Sequence, residues 1–221
     1  MSWLVYRRAA TGAATFAMLA AIISVAAMLA APAFAHVDGV PGHDHGLMGN
    51  PFMSGLGHPF GGLDHLLAML AVGIWAMQQG GRALFAVPGA FVIGMAAGFA
   101  LGQAGFALPL VETGIALSVL AFGLALALAL RPPLSLAVAA TLVFALFHGH
   151  AHGAEMPAEA SALLYAGGML IGTALLHGLG LALGRLAART NTANPQAKLA
   201  GLLPRAAGIM LAVTGGVLLL A

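Results

Sequence analysis

Two short stretches concentrate the chemistry of this chain: His58-Pro59-Phe60-Gly61-Gly62-Leu63-Asp64-His65 and Phe147-His148-Gly149-His150-Ala151-His152-Gly153-Ala154-Glu155. Cysteine is absent, which excludes disulfides, thiolate metal sites and cysteine nucleophiles. Histidine and carboxylate are therefore the available ligands. Neutral imidazole suits Zn, Cu, Fe and Ni, so both stretches read as sites for a divalent transition metal.

In the first stretch, Pro59 suits a helical first turn, where its missing N–H would have no partner anyway. Read as one helix, positions seven apart return to nearly the same face, so His58 and His65 line one stripe. Asp64 lies about 100° around from His65. It is expected to ligate, or to hold a histidine tautomer as an outer acceptor. In the second stretch a continuous helix places His148 and His152 one turn apart, with Glu155 extending the stripe. A break at Gly149 or Gly153 would instead splay His148, His150 and His152 around one ion. Further candidates are Glu112, His177 and the N-terminal His36, which as a chain terminus would offer both imidazole and α-amine. Met69, one turn after His65, reads as core packing.

The elements that carry these groups are helices in lipid. The chain is 61% hydrophobic and 6% charged, with a mean hydropathy of +1.00, against about 25% charged in soluble domains. A basic pair, Arg7-Arg8, precedes an apolar run from Ala9 to Ala31, and Ala33-Phe34-Ala35 follows. That order is the mark of a cleavable signal segment over 1–35. An extracytoplasmic His-containing segment over 36–56 and a six-helix transmembrane domain over 57–221 come after it. The spans are expected near 57–78, 83–104, 107–130, 134–150, 160–184 and 203–221, separated by glycine, proline and basic residues. The expected fold is thus all-α, a polytopic membrane helix bundle. Gly94 with Gly98, and Gly168 with Gly172, allow helices to approach closely.

Charge orients the spans. With His36 outside, Arg82, Arg131, Arg185, Arg189, Lys198 and Arg205 all fall at inner ends or loops, as the positive-inside rule requires. Asp38, Asp44, Asp64, Glu112, Glu155 and Glu159 fall in the outer half or outside. Both stretches then meet at the outer face of a bacterial inner membrane, with the mature N-terminus and the C-terminus extracytoplasmic. The net charge is only +2, and no basic patch interleaved with aromatics speaks for nucleic acid.

Both stretches, in their order and within this layout, resemble the signatures of the HupE/UreJ family, and the resemblance extends over the whole mature chain. It implies a secondary permease for nickel, linked to hydrogenase or urease maturation. The family's motif residues carry over onto His58, Asp64, His65, His148, His152 and Glu155. His150 and the N-terminal histidines are added from chemistry alone. Ni2+ is expected as the transported ion, with Co2+ or Zn2+ as alternatives, and no catalytic cofactor is expected. No G-x-x-x-x-G-K-[ST] sequence is present, so ATP hydrolysis by a P-loop is excluded. Two other functions are compatible with the residues: an intramembrane zinc-dependent hydrolase, and a metal-binding sensor or assembly protein that transports nothing.

Overall fold

A computed structural model describes residues 50–156, 161–189 and 195–220. The expected signal segment and the segment bearing His36 lie outside the described residues. A short helix α1 (Pro51–Gly57) leads into a 3-10 turn (His58–Phe60). Six longer helices follow: α2 (Leu63–Gln79), α3 (Ala83–Gln103), α4 (Val111–Ala127), α5 (Leu134–Ala154), α6 (Ala162–Arg189) and α7 (Pro195–Leu218). The described residues contain no strand.

The apolar residues face outward as well as inward. Phe85 is 82% exposed and Leu163 83%, while His148 is wholly buried and His152 and His177 are each 2% exposed. Water would not tolerate so much apolar surface around a polar interior, whereas lipid does. Three helices, α3, α5 and α6, are long and apolar enough to cross a membrane, or up to four if the bent pair formed by Pro51–Phe60 and α2 counts as one span. The chain is an α-helical membrane protein. Val111–Ala127 has 17 residues and rises about 25 Å, somewhat less than a hydrocarbon core of ~30 Å.

Glycine sets the helix contacts. Gly94 faces the carbonyl of Leu142, Gly98 that of Leu146, and Gly102 that of His150. A side chain at Gly98 would overlap the Leu146 oxygen, so α3 and α5 touch through backbone. The three contacts advance in step, so these two helices run parallel. Gly149 and Gly153 answer from α5 against the carbonyls of Met95 and Phe99. The paired glycines Gly168 and Gly172 serve the same purpose for α6, where they seat α1 through Phe52 and Leu56. Small residues let helices approach where no hydrophobic drive in lipid would press them together.

Other contacts complete the order. Gly73 and Gly180 bring α2 and α6 together in parallel, and Gly208 facing Ala127 with Gly215 facing Leu120 makes α7 antiparallel to α4. Chain direction therefore alternates from α2 to α7. Arg82, Arg131, Arg185 and Arg205 gather toward one end, and the histidine stretches sit at the other. At the arginine end, Trp75 donates its indole N–H to Leu130 O at 3.0 Å. Gly80 and Gly81 there take left-handed φ values of 73° and 55° in the α2–α3 turn.

Candidate functional site

The first histidine stretch is not one helix. His58 belongs to the 3-10 turn, and Gly62 is extended, with φ −102° and ψ 126°. The axis bends by 73° between Pro51–Phe60 and His65–Gln79. The expectation of a continuous helix from His58 to His65 is therefore corrected: Gly61 and Gly62 interrupt it. Glycine costs about 1 kcal/mol per residue in a helix relative to alanine, and two in succession make a break cheap.

The break still brings both imidazoles to one place. His65 lies 4.4 Å from His152 between ring centroids and 4.8 Å from His148. His58 lies 4.6 Å from His152. The second stretch is helical throughout, because α5 runs to Ala154 rather than ending near residue 150. Of the two arrangements open to it, the continuous one is found. His148 and His152 share a face one turn apart, and four imidazoles from three segments form one cluster.

His150 takes no part in that cluster. It turns the other way and its Nε2 is 2.7 Å from Phe106 O, where Nε2–H donates and ties down the α3–α4 loop. Gln103 similarly donates from Nε2 to Gly153 O at 2.5 Å, satisfying a carbonyl left open at the end of α5. Together they hold the helix end that carries His148 and His152.

Two of the candidate carboxylates are exposed: Glu155, at the C-cap of α5, and Glu112, in the first turn of α4. The backbone of Asp64 lies in the first turn of α2 beside His65, and its side chain lies outside what the structure describes. Glu112 suits its position, since an acid is stabilised at a helix N-terminus.

His177 lies deeper, on α6. Its Nδ1–H donates to Met69 O at 2.8 Å, so Met69 contributes its carbonyl to a histidine. Its Nε2 has no hydrogen-bond partner among the described residues. Phe91, fully buried, separates His177 from the cluster: its ring is 4.9 Å from His177 and 5.5 Å from His148. A cleft of about 260 Å³ on the flank of α3 and α6 is lined in part by Pro88, Gly89, Ala174, His177 and Gly178.

Three neighbours of the cluster were not singled out by residue type or spacing. Tyr165 packs at 5.6 Å from His58, Phe91 backs His148, and Ser118 touches His148 Nε2 at 2.7 Å. Only Ser118 left a signal, as a lone hydroxyl in the otherwise apolar run of α4 from Gly114 to Ala127.

Both ring nitrogens of His152 are buried without a hydrogen-bond partner among the described residues. An orphaned buried polar group costs about 1–3 kcal/mol, a cost that a bound ligand would relieve. As they stand, however, no three His, Asp or Glu among the described residues are arranged to hold an ion. The rings pack edge to face, at 87° for His65 and His148 and 76° for His58 and His152. Turning their lone pairs onto one point requires rotation about the side-chain torsions of His58, His65 and His152.

Comparison with known proteins bears on the same residues. The family described as HupE / UreJ protein matches the chain over residues 16–218, a range that contains both histidine stretches. Protein HupE of Rhizobium leguminosarum bv. viciae is 47% identical over 165 residues, covering 75% of this chain and 83% of that protein. No solved structure matches. The chain belongs to the HupE/UreJ family.

Proposed function

We propose that the protein is a secondary permease that brings a divalent transition metal into the cell, with Ni2+ as its ion and Co2+ as the nearest alternative. The family is associated with nickel and cobalt transport. The observation that carries the reading is the meeting of His58, His65, His148 and His152 in one largely buried cluster, at the end of the bundle opposite Arg82 and Arg131. The positive-inside rule supports placing the arginine end in the cytoplasm of a bacterial inner membrane. That leaves the cluster on the extracytoplasmic side, with six spans and both mature termini outside once the signal segment is removed.

In this reading Asp64, Glu155, Glu112 and the His36 segment attract the hydrated ion, and the imidazoles replace part of its water. His150 supports the site from behind. His177, with Nδ1 committed to Met69 O, offers Nε2 as the next ligand inward, past Phe91. Rings that must rotate to ligate bind loosely, and loose binding is what release requires. The membrane potential supplies about 2.3 kcal/mol per charge per 100 mV for inward cation movement. The protein is read as a transporter and not an enzyme, with its metal destined for hydrogenase or urease maturation.

Uptake of radiolabelled Ni2+ into proteoliposomes under an imposed potential tests this. The wild type should accumulate label, and His65→Ala and His148→Ala should not. Metal binding by the wild type with no accumulation would overturn the permease reading and leave a sensor or assembly role.

A further inference from the structure

Ser118 lies in the middle of α4 and is wholly buried, as is His148. Its Oγ is 2.6 Å from the carbonyl oxygen of Ile115, three residues earlier on the same helix. It is also 2.7 Å from Nε2 of His148 on α5. A hydroxyl has one proton to donate and two lone pairs. A carbonyl can only accept, so the Ser118 proton goes to Ile115 O. The contact with His148 then has one consistent assignment: Nε2–H donates to Oγ.

That assignment settles the ring's chemistry. A neutral imidazole carries one N–H, and with it on Nε2 the lone pair that can ligate a metal is on Nδ1. The Ser118 contact also holds the ring plane, because rotation of His148 about its side-chain torsions would break a buried bond. His152 differs in this respect, since neither of its nitrogens has a hydrogen-bond partner among the described residues. His177 has the complementary arrangement, with Nδ1–H held by Met69 O. Ligating histidines generally donate their second N–H to such an acceptor, which sets tautomer and orientation.

We infer that Ser118 is a positioning residue for the metal site: it holds His148 as the Nε2–H tautomer so that Nδ1 is the nitrogen presented to the ion. This rests on the reading of the cluster as a metal-capture site. Ser118 touches the ion in no step. It acts through His148 alone.

The test uses the full chain, purified and reconstituted, with Ni2+ itself as the probe. Nitrogen NMR of protein labelled in histidine, with His148→Gln identifying the signal, reports which ring nitrogen of His148 carries the proton. The wild type should show Nε2–H, and Ser118→Ala should show a mixture or the other tautomer. Equilibrium Ni2+ binding should weaken about 10–100-fold in Ser118→Ala, and the half-saturating concentration for uptake should rise with it more than the maximal rate falls. Ser118→Thr keeps the hydroxyl and should restore the tautomer and the binding.

An Nδ1–H tautomer in the wild type would overturn the inference, and that measurement needs no variant to fold. Unchanged Ni2+ affinity in a folded Ser118→Ala would overturn it as well. A wild type that binds Ni2+ but transports none would defeat the permease reading alone, while the binding comparison would still decide the role of Ser118. A wild type that binds no Ni2+ would overturn both.

Discussion

His65, in the first turn of α2, and His152, in the last turn of α5, place their rings 4.4 Å apart at an angle of 50°. The two residues are far apart in sequence and on helices with no direct covalent link. They meet because α3 packs against both α2 and α5 and presents backbone rather than side chains to α5. The close α3–α5 contact through Gly94, Gly98, Gly102, Gly149 and Gly153 therefore fixes where His148 and His152 stand. Helix packing and the position of the histidine cluster depend on the same glycines.

The first prediction follows from that dependence. Gly98→Val would drive a side chain into Leu146 O and the backbone of His150. Overpacking of this kind costs about 1–3 kcal/mol, so the melting temperature in detergent should fall. Nickel binding should weaken further than that loss of stability implies, because His148 and His152 move with α5. Gly89→Ala, at a position where a Cβ meets nothing within 4 Å, is the control: it should not lower the melting temperature, since alanine favours the helix, and should leave binding unchanged. Thermal melting together with equilibrium binding checks the pair.

The second concerns the three alternate histidines. His152→Ala removes a member of the cluster, and His150→Ala removes a bond to the loop carbonyl of Phe106. The former should weaken Ni2+ binding at least by the ~10–100-fold typical of losing an outer partner. The latter should cost about 1 kcal/mol of stability through one lost hydrogen bond, with binding changed much less. Equal losses of affinity in the two variants would count against the assignment of His150 to a supporting role.

The third concerns pH. Imidazole must be neutral to ligate, and a proton competes with the metal for the same lone pair. Uptake should therefore be full above the ordinary histidine range and fall as pH drops from about 7.5 to about 5.5. The driving force must be matched at each pH. Initial rates that stay flat across this window would argue that carboxylates, and not the histidines, capture the ion.

The fourth concerns the break in the first stretch. Replacing Gly61 and Gly62 together by alanine removes the residues that make the break cheap and favours continuation of helix by about 1 kcal/mol at each position. His58 would then be carried away from His152. Affinity should fall while the protein remains folded, and restoring Gly62 alone should recover part of it. Nickel binding by the single and double variants decides this.

Much of the fold was legible in the residues, and the reason is physical. Apolar runs punctuated by Gln78-Gln79-Gly80-Gly81-Arg82 and Arg131-Pro132-Pro133 mark helices by composition alone, and the reading of 83–104 differs from Ala83–Gln103 by one residue. The same rules stumbled where local signals compete. His58 to His65 looked like one amphipathic turn after another, yet two glycines outweighed that periodicity. The end of α5 looked polar enough to leave the helix, yet packing against α3 and the Gln103 bond carry it to Ala154. The cluster could be assembled in outline, since both stretches had to share one end of the bundle. The facing of His150 toward Phe106, and the parts played by Ser118, Phe91 and Tyr165, depend on rotation and neighbour choice, which spacing does not encode.

The most direct measurement is X-ray absorption on the nickel-loaded full-length protein, because it counts the imidazoles around the ion. The account predicts a nitrogen and oxygen shell with clear imidazole scattering that declines in His65→Ala, His148→Ala and His152→Ala and persists in His150→Ala. A shell without imidazole, or one indifferent to His65, His148 and His152, would contradict it.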